Sequence, residues 1–168
     1  KGGDLEEAAD KWSPEIALGM SILIPATYVS DLQLRLGLYR RLSTLEERAD
    51  IDGFAAELVD RFGEAPEEVR HLLDVMEIKG LCRQAGIAKV DAGPKGAVVG
   101  FRKGAFANAA GLVEYIQKSR GLLKLQPDQR LVFKADWDDA GRRHNGLRAL
   151  GAELARRSGN GARLSRKP

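Results

Sequence analysis

The spacing of apolar residues changes character at Gly86. Before it, three consecutive segments repeat their apolar side chains at helical intervals. After it, short runs rich in β-branched residues flank turn-forming residues. A chain in that order must bury helix stripes and a sheet face together. The predicted fold class is therefore α+β: a helical N-terminal half packed with a small antiparallel sheet and further helices, in a single domain. A length of 168 residues suits one such domain, and 43% hydrophobic residues is too apolar a composition for wholesale disorder.

In the helical half, Ser30 followed by Gln33 forms a capping-box pattern that predicts a helix to about Leu45. Leu32, Leu34, Leu36, Leu38, Leu42, Leu45 and Tyr39 surround much of its circumference, which predicts burial on several sides. A second helix is expected from near Asp50 to Gly63, where glycine supplies left-handed geometry. A third should open at Pro66, with Glu67 and Glu68 at the positive end of its dipole. It carries Val69, Leu72, Leu73 and Met76 on one stripe and ends around Gly86. Ahead of these, the apolar run 16–24, closed by Pro25, predicts a strand. Beyond Gly86, segments 87–92 and 97–101 flank the turn Gly93-Pro94-Lys95-Gly96. Leu123 and Leu125 alternate toward Leu131 and Phe133 across a turn containing Pro127-Asp128. Between the hairpins Asn108 caps a helix through about Lys118, and a last helix covers 138–157.

The net charge of +3 is unevenly placed. Residues 156–168 hold Arg156, Arg157, Arg163, Arg166 and Lys167 without an acidic residue, so residues 1–155 carry about −2. The basicity belongs to a tail, 158–168, expected to be disordered and able to touch DNA phosphates weakly. Residues 1–12 read as a connection to a preceding part. The start at Lys1-Gly2-Gly3, without methionine or an apolar leader, reads as a segment of a longer polypeptide. No apolar run approaches the roughly 20 residues that span a bilayer. The single cysteine, Cys82, excludes an internal disulfide and suits a reducing, cytoplasmic compartment.

Little here points to catalysis. His71 and His144 are the only histidines and neither sits at metal-ligand spacing. His71 reads as helix-surface packing, and His144, among Arg142, Arg143 and Asn145, as part of a solvated face. Cys82, near Ile78, Leu81 and Ala85, reads as a small buried hydrophobe. Gly93-Pro94-Lys95-Gly96 leads into a strand and lacks the Lys-Ser/Thr of a phosphate loop. Gly146 and Gly151 fall inside a helical pattern. No nucleotide site, catalytic residue, cofactor or metal is expected. Arg35, Arg40, Arg41 and Arg48 form a basic side near the first helix, able to contact phosphate or to pair with acidic neighbours.

The second helix is more informative. At 100° per residue, Glu57, Asp60, Arg61 and Glu64 fall within about 100° of one another. Ile51, Phe54, Ala55, Leu58, Val59 and Phe62 occupy the opposite arc, expected to face the core. This compact charged ridge is either an ordinary solvated face or a polar docking surface for another domain, where charges of both signs set register and specificity.

Three strings carry a resemblance: Ile24-Pro25-x-x-Tyr28-Val29-x-Asp31-Leu32, Arg35-Leu36-x-Leu38-Tyr39-Arg40-Arg41-Leu42, and Glu57-Leu58-Val59-Asp60-Arg61-Phe62-Gly63-x-x-Pro66. With Ile78-Lys79, Ala85-Gly86-Ile87-x-Lys89 and Gly96 in order and spacing, residues 13–157 resemble the C-terminal regulatory domain of bacterial transcription-repair coupling factors. The resemblance implies a parent that is an ATP-driven, helicase-like DNA translocase, using ATP and magnesium in a motor outside this chain; residues 1–12 would link to that motor. It implies that the parent displaces stalled RNA polymerase and recruits UvrA for nucleotide excision repair. For this domain it implies a non-enzymatic, autoinhibitory role: docking on the UvrB-like module of the same polypeptide and masking the UvrA-binding surface until polymerase engagement and ATP cycling release it. The docking residues carried over by resemblance are Glu57, Asp60 and Arg61. The alternative is an accessory DNA-binding module using the Arg35, Arg40 and Arg41 side with the basic tail.

Overall fold

The computed structural model describes residues 12–159. Strand β1 (Glu15–Ala17) is followed by helices α1 (Leu32–Leu42), α2 (Arg48–Phe62) and α3 (Glu67–Ala85), then the hairpin of β2 (Ile87–Gly93) and β3 (Gly96–Phe101). Next come a 3-10 turn (Arg102–Gly104), α4 (Ala109–Lys118), the hairpin of β4 (Leu123–Leu125) and β5 (Leu131–Lys134), and α5 (Ala140–Arg157). The α+β expectation for a single domain holds, as do both hairpins. Leu123 pairs with Phe133 and Leu125 with Leu131.

The sheet is mixed rather than purely antiparallel. Its order is β1-β2-β3-β5-β4, with β1 parallel to β2 and every other pair antiparallel. The chain leaves β1 and crosses three helices before returning as its neighbour, which is the kind of long connection a parallel pair requires. The strand expected over 16–24 lasts only through Ala17, because Gly19 turns with φ +68°. The run beyond it bridges two cores. Leu18 is buried against the sheet, Ile24 is buried among the helices, and Ile22 touches both clusters.

Local chemistry also shifts the helix boundaries. Asp31, not Ser30, caps α1: its Oδ1 accepts from the backbone N–H of Gln33 (2.8 Å) and of Leu34 (3.2 Å). The helix ends at Leu42, where the hydroxyls of Ser43 and Thr44 donate to the carbonyls of Arg40 and Arg41. Only Leu38 and Leu42 of α1 are buried; Leu32 and Leu36 are exposed, so α1 lies at the edge of the helical cluster rather than inside it. The C-cap of α2, Gly63, has φ 91° and ψ −170°, outside the left-handed helical well and in a region open essentially to glycine alone. Gly86 ends α3 in ordinary left-handed geometry.

Helix α3 belongs to both cores. Val69, Leu72, Leu73 and Met76 join Leu38, Leu42, Ile51, Phe54 and Leu58; Val75, Ile78, Cys82 and Ala85 join the sheet, α4 and α5. Cys82 is buried as expected, and burial pushes its thiol up to about 12. The glycines of α5 serve packing. A methyl at Gly146 would lie 2.3 Å from the Trp137 ring, and one at Gly151 would lie 3.3 Å from Leu81 Cβ.

The helix patterning around Arg143 and His144 corrects the solvated-face expectation. Arg143 is 7% exposed and has no acidic partner among the described residues. Its guanidinium donates to the carbonyls of Leu18 and Trp137, stapling α5 to the segment after β1. Ser158, expected in the tail, is buried: its hydroxyl donates to the carbonyls of Ala155 and Gln84 at the end of α5. Residues 1–11 and 160–168 lie outside the described residues.

Removing the Arg143 side chain leaves two buried carbonyls without their donor. Arg143→Ala should therefore destabilise the domain by about 2–4 kcal/mol. Arg142→Ala, which removes only exposed ion pairs, should cost at most about 1 kcal/mol. Urea denaturation of the two variants compares these values directly.

Candidate interdomain docking site

Helix α2 buries Ile51, Phe54 and Leu58 against α3 and α1, which fixes its rotation. Asp60 and Arg61 consequently face solvent, Glu57 is half-buried at the boundary with α1, and Glu64, placed with them by helical spacing, lies exposed beyond the helix end, past non-helical Gly63. Val59, assigned to the core arc from periodicity, is 50% exposed. The covered arc of α2 is narrower than its apolar residues suggested.

Two contacts hold the ridge in place. Tyr28 stacks edge-on against Phe62 at 5.8 Å, and its hydroxyl sits 3.1 Å from the Leu58 carbonyl and 2.8 Å from that of Gly63, clamping the end of α2. Partial burial raises the Tyr28 pKa and keeps it a donor. On the other flank Arg41 reaches across from α1 to form a fork on Glu57, with Nη1 donating to Oε2 and Nη2 to Oε1, each at 2.7 Å. Arg61 Nη1 adds a third bond to Oε2 at 3.0 Å. The two guanidiniums also lie over rings: Arg41 over Phe54 and Arg61 over Phe62, each 4.9 Å from the centroid. The Arg41 bond, then the Arg61 bond, hold the Glu57 carboxyl down at about 2.

The three sequence-predicted docking residues are thus together on one surface but in different states. Glu57 is held by two arginines, Arg61 is shared with it, and Asp60 is in no ion pair among the described residues. Glu64 beside them is likewise unpaired among those residues. The three arginines assigned to phosphate contact do not form one free basic side. Arg35 donates to the carbonyls of Val29 (2.8 Å) and Ser30 (3.1 Å), and Arg41 is committed to Glu57; Arg40 is exposed and in no ion pair among the described residues.

A second polar region went unforeseen. A cleft of about 370 Å³ opens between α2, α3 and the start of α5, lined by Arg48, Asp52, His71, Asp74, Glu77 and His144 among others. His144, only 13% exposed at its side chain, lies 3.5 Å from Glu77 Oε1 and 3.6 Å from Asp74 Oδ1. Glu77 also takes Arg48 from α2, so this cluster ties three helices together. Burial raises the Asp74 pKa against the pull of His144. The signal was present for Arg143, which shares the helical face of Leu147, Leu150 and Leu154; His144, about 60° from Leu147, borders that face. No group of three or more histidine, cysteine or acidic side chains among the described residues could hold a metal ion. None of their helices is long and apolar enough to cross a membrane.

Residues 18–112, which contain the whole ridge, match the TRCF domain family. The chain belongs to this family. Transcription-repair-coupling factor of Rickettsia bellii is 41% identical over 120 residues, covering 71% of this chain but 11% of that protein. The Escherichia coli factor is 30% identical over 140 residues, covering 83% of this chain and 12% of its own length. The chain thus spans about a tenth of these curated relatives. The crystal structure of a C-terminal domain of transcription-repair coupling factor superposes with TM-score 0.71 at 19% identity, covering 93% of this chain and 97% of that one, so the TRCF domain shares its fold.

The charge network of the TRCF domain has a measurable signature. The ionised form of Glu57 is favoured by folding, so its contribution to stability is complete above the usual 4.5 and is lost as pH falls toward about 2. A carboxyl-carbon NMR titration should find the Glu57 midpoint near 2 and should see it rise toward the usual range in Arg41→Ala.

Proposed function

We propose that this TRCF domain is an autoinhibitory module of a transcription-repair coupling factor, acting in transcription-coupled nucleotide excision repair. In this reading it docks through the α2 ridge on the UvrB-like module of its parent and covers the surface that UvrA would use. The observation that carries it is the ridge: Asp60 and Arg61 exposed together on a helix whose rotation is fixed by buried Ile51, Phe54 and Leu58, with exposed Glu64 two residues beyond its end. A rigid element bearing fixed charges of both signs selects a partner by complementarity more than by apolar area.

Tethering makes a weak interface sufficient. A domain joined to its target by a short flexible linker meets it at an effective concentration on the order of millimolar, so modest affinity keeps the closed form populated. A polar face also tolerates release into water, as a large apolar one would not. Opening would follow when RNA polymerase engagement and ATP cycling in the parent motor favour the open form. A differential binding energy of about 5.5 kcal/mol moves a two-state equilibrium from 1:99 to 99:1. ATP, magnesium and DNA binding are assigned to that motor, and this domain has no catalytic or cofactor role. The DNA-binding alternative is weakened by the commitment of Arg35 and Arg41 to partners within the fold.

Calorimetric titration of the domain into the UvrB-like module tests the reading. Glu57→Ala/Asp60→Ala/Arg61→Ala should leave the domain folded and weaken binding about tenfold or more. Equal affinity, or unfolding of the triple variant, would refute it; a steep loss of DNA binding with salt would favour the alternative.

A further inference from the structure

Glu57 belongs to the docking ridge, yet both its oxygens are already occupied. Arg41 takes each of them at 2.7 Å, and Arg61 adds a second bond to Oε2. What the ridge leaves unpaired among the described residues is acidic: Asp60 in the last turn of α2 and Glu64 just past the Gly63 cap, both exposed. A surface whose unpaired groups are carboxylates is complementary to a basic patch. A cationic group arriving there would find a third carboxylate, Glu57, but that group is held by a guanidinium from the neighbouring helix.

We infer that Arg41 is an internal competitor for Glu57, setting the strength of docking to a basic surface patch on the UvrB-like module by holding that carboxylate in reserve. This rests on the docking reading above and adds to it a residue on α1, outside the ridge helix, that works against the closed state. The geometry suits the role. Arg41 is anchored over Phe54, so its guanidinium remains beside Glu57 without help from a partner. The Arg41 side chain is 51% exposed and that of Glu57 33%, so solvent limits the strength of the pair and an incoming cation can exchange with it. Asp60, which has no such partner, supplies the contact open from the start.

The competitor has a distinct signature. An arginine that merely shaped the surface would weaken docking when removed, whereas a competitor strengthens it. Arg41→Ala should tighten binding to the UvrB-like module by up to about fivefold, the range of an exposed ion pair. Arg41→Lys, which keeps the charge but loses the fork, should fall between wild type and Arg41→Ala. In Arg41→Ala/Glu57→Gln the gain should vanish, leaving the affinity of Glu57→Gln alone; this coupling separates competition for Glu57 from general relief of positive charge.

All four variants and wild type are titrated into the isolated module by calorimetry, with the Glu57 carboxyl followed by NMR to show that the fork is gone. Tightening that depends on Glu57 supports the inference. Wild-type binding with unchanged or weaker affinity in Arg41→Ala, or a gain that persists in the double variant, overturns the inference while leaving the docking reading intact. No binding by wild type or by any variant at near-millimolar module overturns the docking reading and the inference with it.

Discussion

Helix α3 has two partners to satisfy at once, and the domain is built around that demand. Val69, Leu72, Leu73 and Met76 point to one side, and Val75, Ile78, Cys82 and Ala85 to the other. A 19-residue helix is about 28 Å long, enough to reach through both halves of a small domain. Its first face anchors α1 and α2; its second closes the sheet, with α5 lying along it. Small residues permit this closeness. Gly80 passes so near the backbone before α2 that a methyl would lie 3.1 Å from the Glu46 carbonyl oxygen, and Gly151 admits Leu81. Because one helix serves both clusters, neither half can lose its packing without disturbing the other.

The ridge depends on this arrangement. Burial of Ile51, Phe54 and Leu58 against α3 sets the rotation of α2, and burial of Leu38 and Leu42 sets α1 beside it. Only then does Arg41 meet Glu57, and only then do Asp60 and Arg61 face outward together. The electrostatics are second in strength but first in selectivity: exposed pairs are each worth about 0–1 kcal/mol, far less than the buried apolar side chains beneath them. The His144–Asp74–Glu77–Arg48 cluster, on the other side of α2, binds the helices in the same way without facing the ridge residues.

Much of this was legible in the sequence, for reasons of period. The helices from α2 onward, both hairpins and the shared exposure of Asp60 and Arg61 followed from residue spacing, and Gly86 marked the change from helix to strand; the placement of Glu64 did not follow, because the helix ends at Phe62, two residues before it. The first strand was overread because the run 16–24 is apolar for two different cores, and Gly19 ends its pairing after three residues. Ser30 lost the cap to Asp31, one residue on, whose carboxylate is the stronger acceptor. Charge points Arg143 and His144 to solvent, although Arg143 lies on the helical face of Leu147 and Leu150 and His144 at its border; the burial of an arginine on bare carbonyls has no signature in residue type. Pairing of the arginines with acidic neighbours was one of two readings, and it holds for Arg41 and Arg48 but not for Arg35, which binds carbonyls. That Arg41 would choose Glu57, sixteen residues away on another helix, depends on tertiary packing that no local pattern encodes.

Autoinhibition by docking requires that the α2 ridge be covered in the idle parent protein and uncovered in the working one. Hydroxyl-radical footprinting of the full-length factor, read at Val59 and Phe62, measures this in place, since both residues flank Asp60 and Arg61 and Val59 is half exposed in the free domain. Docking gives low reactivity in the idle protein and a rise to the free-domain level once RNA polymerase and ATP are engaged. Reactivity already equal to that of the free domain in the idle protein would contradict it.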